Sequence, residues 1–161
     1  MKIKTLLINP VRGFSPPFGL LYIGALLEER GYPVKIEELN TYGAASFDFK
    51  DLAKRVREEK YDIVGIVCLS SYVEVVKALI NDIKSASSNV KIVLGGIHAT
   101  ALPEDCLRMG ADIVVLGEGE SIFLNIADKL ALGEKLDDIR SIMFVDNNGK
   151  YVRTAERTGY E

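Results

Sequence analysis

Short β-branched runs alternate with longer amphipathic stretches along this chain, and that rhythm restricts it to a layered α/β fold more tightly than any single residue does. The runs are Thr5 to Ile8, Val34 to Glu38, Ile63 to Val67, Lys91 to Leu94 and Asp112 to Leu116. Between them, apolar residues recur at helical spacing: Leu20, Ile23 and Leu27; Leu52 and Val56; Val73, Val76, Ile80 and Ile83; Phe123, Ile126 and Leu130. Five βα units result. The punctuation agrees, since Pro16-Pro17 precedes the first helix, Pro103 opens a short fourth one, and Gly31, Gly110 and Gly133 follow helix ends.

The central runs Ile63-Val64-Gly65-Ile66-Val67, Ile92-Val93-Leu94 and Ile113-Val114-Val115 are apolar on both alternating faces, as strands covered by helices on both sides must be. The sheet is therefore expected to be parallel. Right-handed crossovers then give a flavodoxin-like, doubly wound, five-stranded parallel sheet of order 2-1-3-4-5. After Gly133 the rhythm changes: Ser141 to Val145 and Lys150 to Arg153 flank Asp146-Asn147-Asn148-Gly149, where Asn-Gly signals a hairpin turn. At 161 residues against a typical domain of about 150, the chain makes one domain. The expected division is a Rossmann-like domain over 1–140, a small C-terminal β-hairpin appendage over 141–153, and a tail or truncated linker over 154–161.

Composition narrows the partners. Hydrophobic residues make up 48% and charged residues 27%, the balance of an ordinary folded domain. Twenty basic residues against 23 acidic give a net charge of -3, too little cationic field to hold a phosphate backbone, so nucleic acid is not expected. No apolar run is long enough for a membrane span, and Met1 to Ile8 is too short for a signal peptide. The two cysteines, Cys68 and Cys106, lie far apart, read as buried small hydrophobes, and suit a reducing, cytoplasmic setting. His98 is the single histidine, and the spacing offers no metal site around it.

In such sheets ligands bind beyond the carboxyl ends of the strands, where strand order reverses, here between strands 1 and 3. The loops on that edge are Asn9 to Pro17, Leu39 to Ala45, Cys68 to Tyr72, Gly95 to Thr100 and Gly117 to Ser121. Gly95-Gly96 admits either a flat ligand close to the backbone or a tight turn. Ser70 and Ser71 offer hydroxyls to a ring nitrogen or phosphate, or cap the helix that starts near Tyr72. Gly117-Glu118-Gly119-Glu120 has only half of a dinucleotide fingerprint and follows the fifth strand rather than the first, which disfavours a nicotinamide cofactor. Arg12 projects from the first loop, over the crevice or simply into solvent.

Four segments in order resemble one family: Pro16-Pro17-Phe18-Gly19-Leu20-Leu21-Tyr22-Ile23-Gly24, Asp62-Ile63-Val64-Gly65-Ile66, Gly95-Gly96-Ile97-His98-Ala99-Thr100-Ala101-Leu102-Pro103-Glu104, and Asp112-Ile113-Val114-Val115-Leu116-Gly117-Glu118-Gly119-Glu120. They look like the N-terminal cobalamin-binding domain of cobalamin-dependent radical S-adenosylmethionine enzymes, in the branch similar to magnesium-protoporphyrin IX monomethyl ester cyclase. The resemblance runs from about Thr5 to Arg153. It implies cobalamin (vitamin B12) bound base-off, its dimethylbenzimidazole tail detached from cobalt and slotted between sheet and helices. Gly65, Gly95 and Gly96 would keep that slot open. Ser70, Ser71 and Tyr72 would form the short loop near the tail, and Gly117, Glu118 and Gly119 would approach it too. Corrin amides would rest on Asn9, Val11, Arg12 and Gly13, up to Phe14, and on Ile97, His98, Ala99 and Thr100.

The methionine synthase type of cobalamin domain carries Asp-x-His-x-x-Gly after its first strand, whereas this chain has Asn9-Pro10-Val11-Arg12-Gly13-Phe14. No protein ligand to cobalt is therefore expected, and the lower cobalt face is open, water-bound or covered by Val11 or Arg12. A radical enzyme also needs Cys-x-x-x-Cys-x-x-Cys for a [4Fe-4S] cluster, which two distant cysteines cannot supply. The resemblance implies that the cluster and S-adenosylmethionine belong to a catalytic domain outside this chain, which is then either a truncated part of a longer protein or a free-standing cobalamin carrier and not catalytic alone. The alternative is a receiver-like or flavodoxin-like signalling or docking domain. A receiver needs acidic residues after strands 1 and 3, where this chain has Asn9 and Cys68-Leu69-Ser70.

Overall fold

A computed structural model describes residues 1–13, 16–41, 43, 44 and 46–156. Phe14, Ala45 and the tail from Arg157, on which parts of the loop and linker expectations fall, lie outside the described residues. The chain runs β1 (Thr5–Asn9), α1 (Phe18–Glu29), β2 (Val34–Glu38), α2 (Lys50–Glu58), β3 (Ile63–Val67), a 3-10 turn (Ser70–Tyr72) and α3 (Val73–Ala86). It continues through β4 (Lys91–Gly95), α4 (Ile97–Ala101), α5 (Pro103–Arg108), β5 (Ile113–Val115), α6 (Glu120–Leu132), β6 (Ile142–Val145) and β7 (Tyr151–Arg153). Every expected strand is present within a residue or two of its expected ends. Pro103 occupies the first turn of α5, and Gly31, Gly110 and Gly133 all take positive φ after their helices.

The first five strands pair in parallel in the order β2-β1-β3-β4-β5, as the rhythm predicts. The hairpin is not an appendage. It joins the same sheet antiparallel, β6 against β5 and β7 outermost, so the sheet has seven strands rather than five. The physical reason is that β5 is wholly apolar and buried, so its second edge must be paired and covered. Met143 pairs with Val114, while Ile142 and Phe144 pack into the core on the opposite face. The turn itself follows its sequence signal: Asp146 Oδ1 accepts from the N–H groups of Asn148 and Lys150, each at 2.8 Å, and Gly149 has φ 77°.

The sheet divides two cores. Leu6, Ile8, Val64, Ile66, Ile92, Leu94 and Val114 face α2, α3, α4 and α5, while Leu7, Ile63, Val93, Ile113 and Val115 face α1 and α6. Successive residues of one strand thus serve opposite cores, the period of two that both-sided burial demands.

Two aspartates that open quoted motifs act at the amino ends of the strands, away from the loops that carry the crevice. Asp62 Oδ2 accepts the backbone N–H of Lys4 at 2.7 Å, pinning β3 to β1. Asp112 Oδ2 accepts the N–H of Ile92 at 2.7 Å and the ammonium of Lys84 at 2.6 Å, tying β5 to β4 and α3. Among the described residues, no helix is long and apolar enough to cross a membrane.

Candidate functional site

The carboxyl ends of the parallel strands open into a cavity of about 800 Å³. It lies mainly on the α1 and α6 face of the sheet, above β1, β3, β4 and β5, with the amino ends of α1 and α6 at its sides and α4 at its mouth. Leu7, Gly65, Val93, Val115 and Phe123 line its deep part, all buried and none charged. Asn9, Thr100, Glu118 and Glu120 place polar groups nearer the loops. An apolar slot with a few polar groups at its rim suits a large ligand with a flat hydrophobic part and a polar periphery.

Glycine shapes this slot in three different ways. A Cβ on Gly65 would stand 2.8 Å from Leu7 Cδ2 and 2.8 Å from a carbon of the Phe123 ring, so its bareness lets those side chains meet beneath the slot. Gly95 faces open space, with only Val115 Cβ as near as 4.0 Å to its ideal Cβ. Gly96 has φ 113°, and a Cβ there would stand 2.8 Å from the carbonyl oxygen of Cys68. For Gly95 and Gly96 the structure therefore combines both sequence readings, an open wall at the first and an enforced tight turn at the second.

The two loops at the mouth are tied by Thr100, whose hydroxyl donates to Gly96 O at 3.0 Å and accepts the N–H of Gly117 at 3.0 Å. Asn9 donates to Glu38 Oε2 at 3.1 Å, fixing the start of the first loop against β2. The rim also exposes large apolar side chains: Phe18 on α1 is 71% exposed and Ile97 on α4 is 76% exposed.

Of the residues the sequence pointed to, Asn9, Val11, Gly13, Gly65, Tyr72, Gly95, Gly96, Ile97, Thr100, Gly117, Glu118 and Gly119 line the cavity. Arg12, Ser70, Ser71, His98 and Ala99 do not line it. Arg12 is exposed and tied through its own N–H to Leu39 O at 2.8 Å. Ala99 is buried in the core under α4 and α5. Neither the turn at Ser70 nor α3 has a side-chain hydrogen bond from its N-cap residue. Ser70 Oγ instead pairs with His98 Nδ1 at 3.1 Å. Pro17, Phe18 and Phe123 line the cavity and were missed. The Pro-Pro-Phe-Gly run marks the first two in the sequence; Phe123 gives no signal beyond its helical period.

Behind the cavity wall, the expectation that no metal-ligand set assembles around His98 is corrected. Cys68, just past β3, and Cys106, on α5, come together with His98 of α4, one potential ligand atom from each lying within 4.8 Å of the others. Neighbouring strands β3 and β4 cause this, because they bring residues about thirty positions apart to one sheet edge. Both cysteines are fully buried, as expected. A hydrogen bond between them holds the Cys68 thiol below the ordinary thiol range and pushes that of Cys106 up, with burial adding to the rise.

Comparison with known proteins gives this architecture a context. The family model described as the B12 binding domain matches residues 4–127. An uncharacterized methyltransferase of Pyrococcus horikoshii is 33% identical over 83% of this chain and 28% of its own length. The anaerobic magnesium-protoporphyrin IX monomethyl ester cyclase of Cereibacter sphaeroides is 27% identical over 86% of this chain and 23% of its own. Among solved structures, the radical S-adenosylmethionine methyltransferase TsrM of Kitasatospora setae, with cobalamin and a [4Fe-4S] cluster bound, superposes with a TM-score of 0.81. That match covers 98% of this chain and 30% of TsrM at 22% identity, and shows a shared fold. The chain thus spans less than a third of each of these proteins.

Proposed function

The chain belongs to the B12-binding domain family, and on that footing we propose that it holds cobalamin base-off in the cavity between the sheet and helices α1 and α6. The observation that carries the reading is the slot itself: deep, apolar, floored at Gly65 and left open at Gly95. Its donor chemistry fits the group. A neutral aromatic base needs apolar walls, which Leu7, Val93, Val115 and Phe123 supply. Gly117 and Gly119 present bare backbone to the rest of the tail, and Val11, Gly13, Phe18 and Ile97 offer an apolar seat to a corrin edge. Ser70 and His98, assigned to the cofactor by resemblance, are assigned here to each other behind the cavity wall, and Ser71 is exposed outside the slot.

Cobalamin supplies, when bound, a cobalt centre able to carry a methyl group between a donor and an acceptor. The work of this chain's residues is to bind and orient it and to exclude water from the slot. The first loop offers Val11 and Arg12 where a histidine ligand would stand, and of the two only Val11 faces the cavity. We assign Val11 to the lower face of the ring. The reaction then belongs to a longer protein in which this module serves a radical S-adenosylmethionine domain holding the [4Fe-4S] cluster, in a methyltransferase or cyclase. Support comes from the relatives named above, all of them more than three times as long as the segment they share.

The test is a titration of the purified chain with hydroxocobalamin and methylcobalamin, followed in the visible absorption of the protein-bound fraction. Saturable binding with a base-off spectrum is expected. Absence of saturable binding overturns the proposal in favour of a docking domain; saturable binding with a base-on spectrum removes the slot from its centre. A Val11→His variant should shift the cobalt reduction potential of the bound cofactor, and an unchanged potential would free Val11 from its assigned place.

A further inference from the structure

We propose that Cys68, His98 and Cys106 form a binding site for one soft divalent cation of the zinc class, separate from the cobalamin slot and built into the wall behind it. Two thiols and an imidazole nitrogen are the donor set that such a d10 ion prefers, and their ligand atoms already lie within 4.8 Å of one another. All three residues are buried, His98 at 5% exposure and both cysteines at 0%.

The imidazole is the independent observation. Its Nδ1 is engaged by the hydroxyl of Ser70 at 3.1 Å, while Nε2 is buried and has no hydrogen-bond partner among the described residues. A buried ring nitrogen in that condition is costly unless something satisfies it. A cation satisfies it together with both sulfurs, and the Ser70 contact is then the outer partner that fixes ring orientation in histidine metal sites. Asp105 stands beside the set. Its Oδ2 lies 3.4 Å from Nε2, and its half-exposed carboxylate sits close enough to both thiols to oppose their ionisation. It marks the solvent-facing side of the cluster, from which an ion and its fourth ligand would enter.

The backbone is arranged to hold this cluster. The N–H of His98 donates to the carbonyl of Cys68 at 3.1 Å, and the N–H of Cys68 donates to Gly95 O at 2.7 Å. Gly96 permits that approach, because any side chain there would strike the Cys68 carbonyl. Binding deprotonates both thiols, so the bound ion faces two thiolates and a neutral imidazole. The site clamps α4 and α5 to the end of β3, behind the wall that carries Ile97 and Thr100.

The experiment uses the cobalamin-free chain, reduced and stripped with a chelator, so that its outcome is independent of the cobalamin proposal. Co(II) is added as a spectroscopic stand-in for Zn(II). The expected result is saturation at one ion per chain, with the intense visible bands of tetrahedral Co(II) and near-ultraviolet sulfur-to-cobalt charge transfer. Zinc should then displace the cobalt with the release of no further protons, about two having left on first binding. Cys106→Ser should abolish the charge-transfer intensity and weaken binding at least about tenfold. His98→Gln should do the same, with circular dichroism confirming that each variant is folded. A weak octahedral Co(II) spectrum in the wild-type chain, or a tetrahedral spectrum that survives both substitutions, overturns the proposal.

Discussion

On one face of the sheet, α2, α3, α4 and α5 pack Leu79, Ile80 and Ile83 against their strand partners; on the other, α1 and α6 part at the carboxyl ends of the strands and leave about 800 Å³ uncovered. The same strands build both. Their alternate residues decide the difference: at the middle of β3, Val64 and Ile66 fill the closed face, and Gly65 between them faces the open one. A single small residue at a central strand, flanked by Leu7 and Phe123, sets the depth of the slot, and Gly95 keeps its mouth open. One face packs its strand middles against four helices; the other leaves them uncovered at a chosen place.

Four substitutions press on that contrast, from the largest expected effect to the smallest. Leu79→Ala hollows the closed face at a residue with no exposure and should cost about 2–5 kcal/mol in urea unfolding. Cobalamin affinity, measured where the variant is still folded, should stay unchanged, because the slot lies across the sheet. Gly65→Ala drives a methyl to 2.8 Å from Leu7 and Phe123, and should cost about 1–3 kcal/mol while also weakening cobalamin binding. If it lost stability but bound cobalamin normally, Gly65 would be a packing residue alone. Gly95→Phe fills open space; unfolding should move by less than about 0.5 kcal/mol, whereas cobalamin affinity should fall at least about tenfold, about 1.4 kcal/mol.

The smallest effect concerns the margin of the closed face, where the edge strand β2 meets α2. Hydrogen bonds from Arg55 and then Lys35 hold the Glu37 carboxyl at about 2, below its ordinary 4.5. The folded state therefore binds this proton less readily than the unfolded one, so the stabilisation is complete above pH 4.5 and fades as pH falls toward 2. Arg55 is half exposed, and screening reduces the contribution to about 1 kcal/mol or less. Glu37→Gln should lose that amount at pH 7 and almost nothing near pH 2, read from unfolding at both values; cobalamin binding at pH 7 should not change.

Much of this was legible in the sequence because the signals were local. Runs such as Ile63 to Val67 and the glycines after helix ends specify their own conformation within a few residues, and the parallel order follows once helices separate the strands. The cavity's rim was legible for the same reason, as glycine-bearing loops at known strand ends. What could not be read was every relation between distant residues. Nothing near Cys68 announces His98 or Cys106 until β3 and β4 are known to be neighbours. The roles of Asp62 and Asp112 as backbone anchors, and the placing of the slot on the α1 and α6 side rather than over both faces, depend equally on which elements meet. The hairpin showed its turn in Asn148-Gly149 but not its partner, since the need it answers belongs to β5, about thirty residues earlier.

That last pairing bears on how the chain must be handled. The family match ends at residue 127, yet β5 acquires its outer neighbour only at Ile142 to Val145. A fragment cut between those points would present Ile113-Val114-Val115 as a bare, wholly apolar edge, the kind of template on which further chains stack. Such a fragment would be prone to strand addition, and the shortest one that pairs β5 runs through Val145.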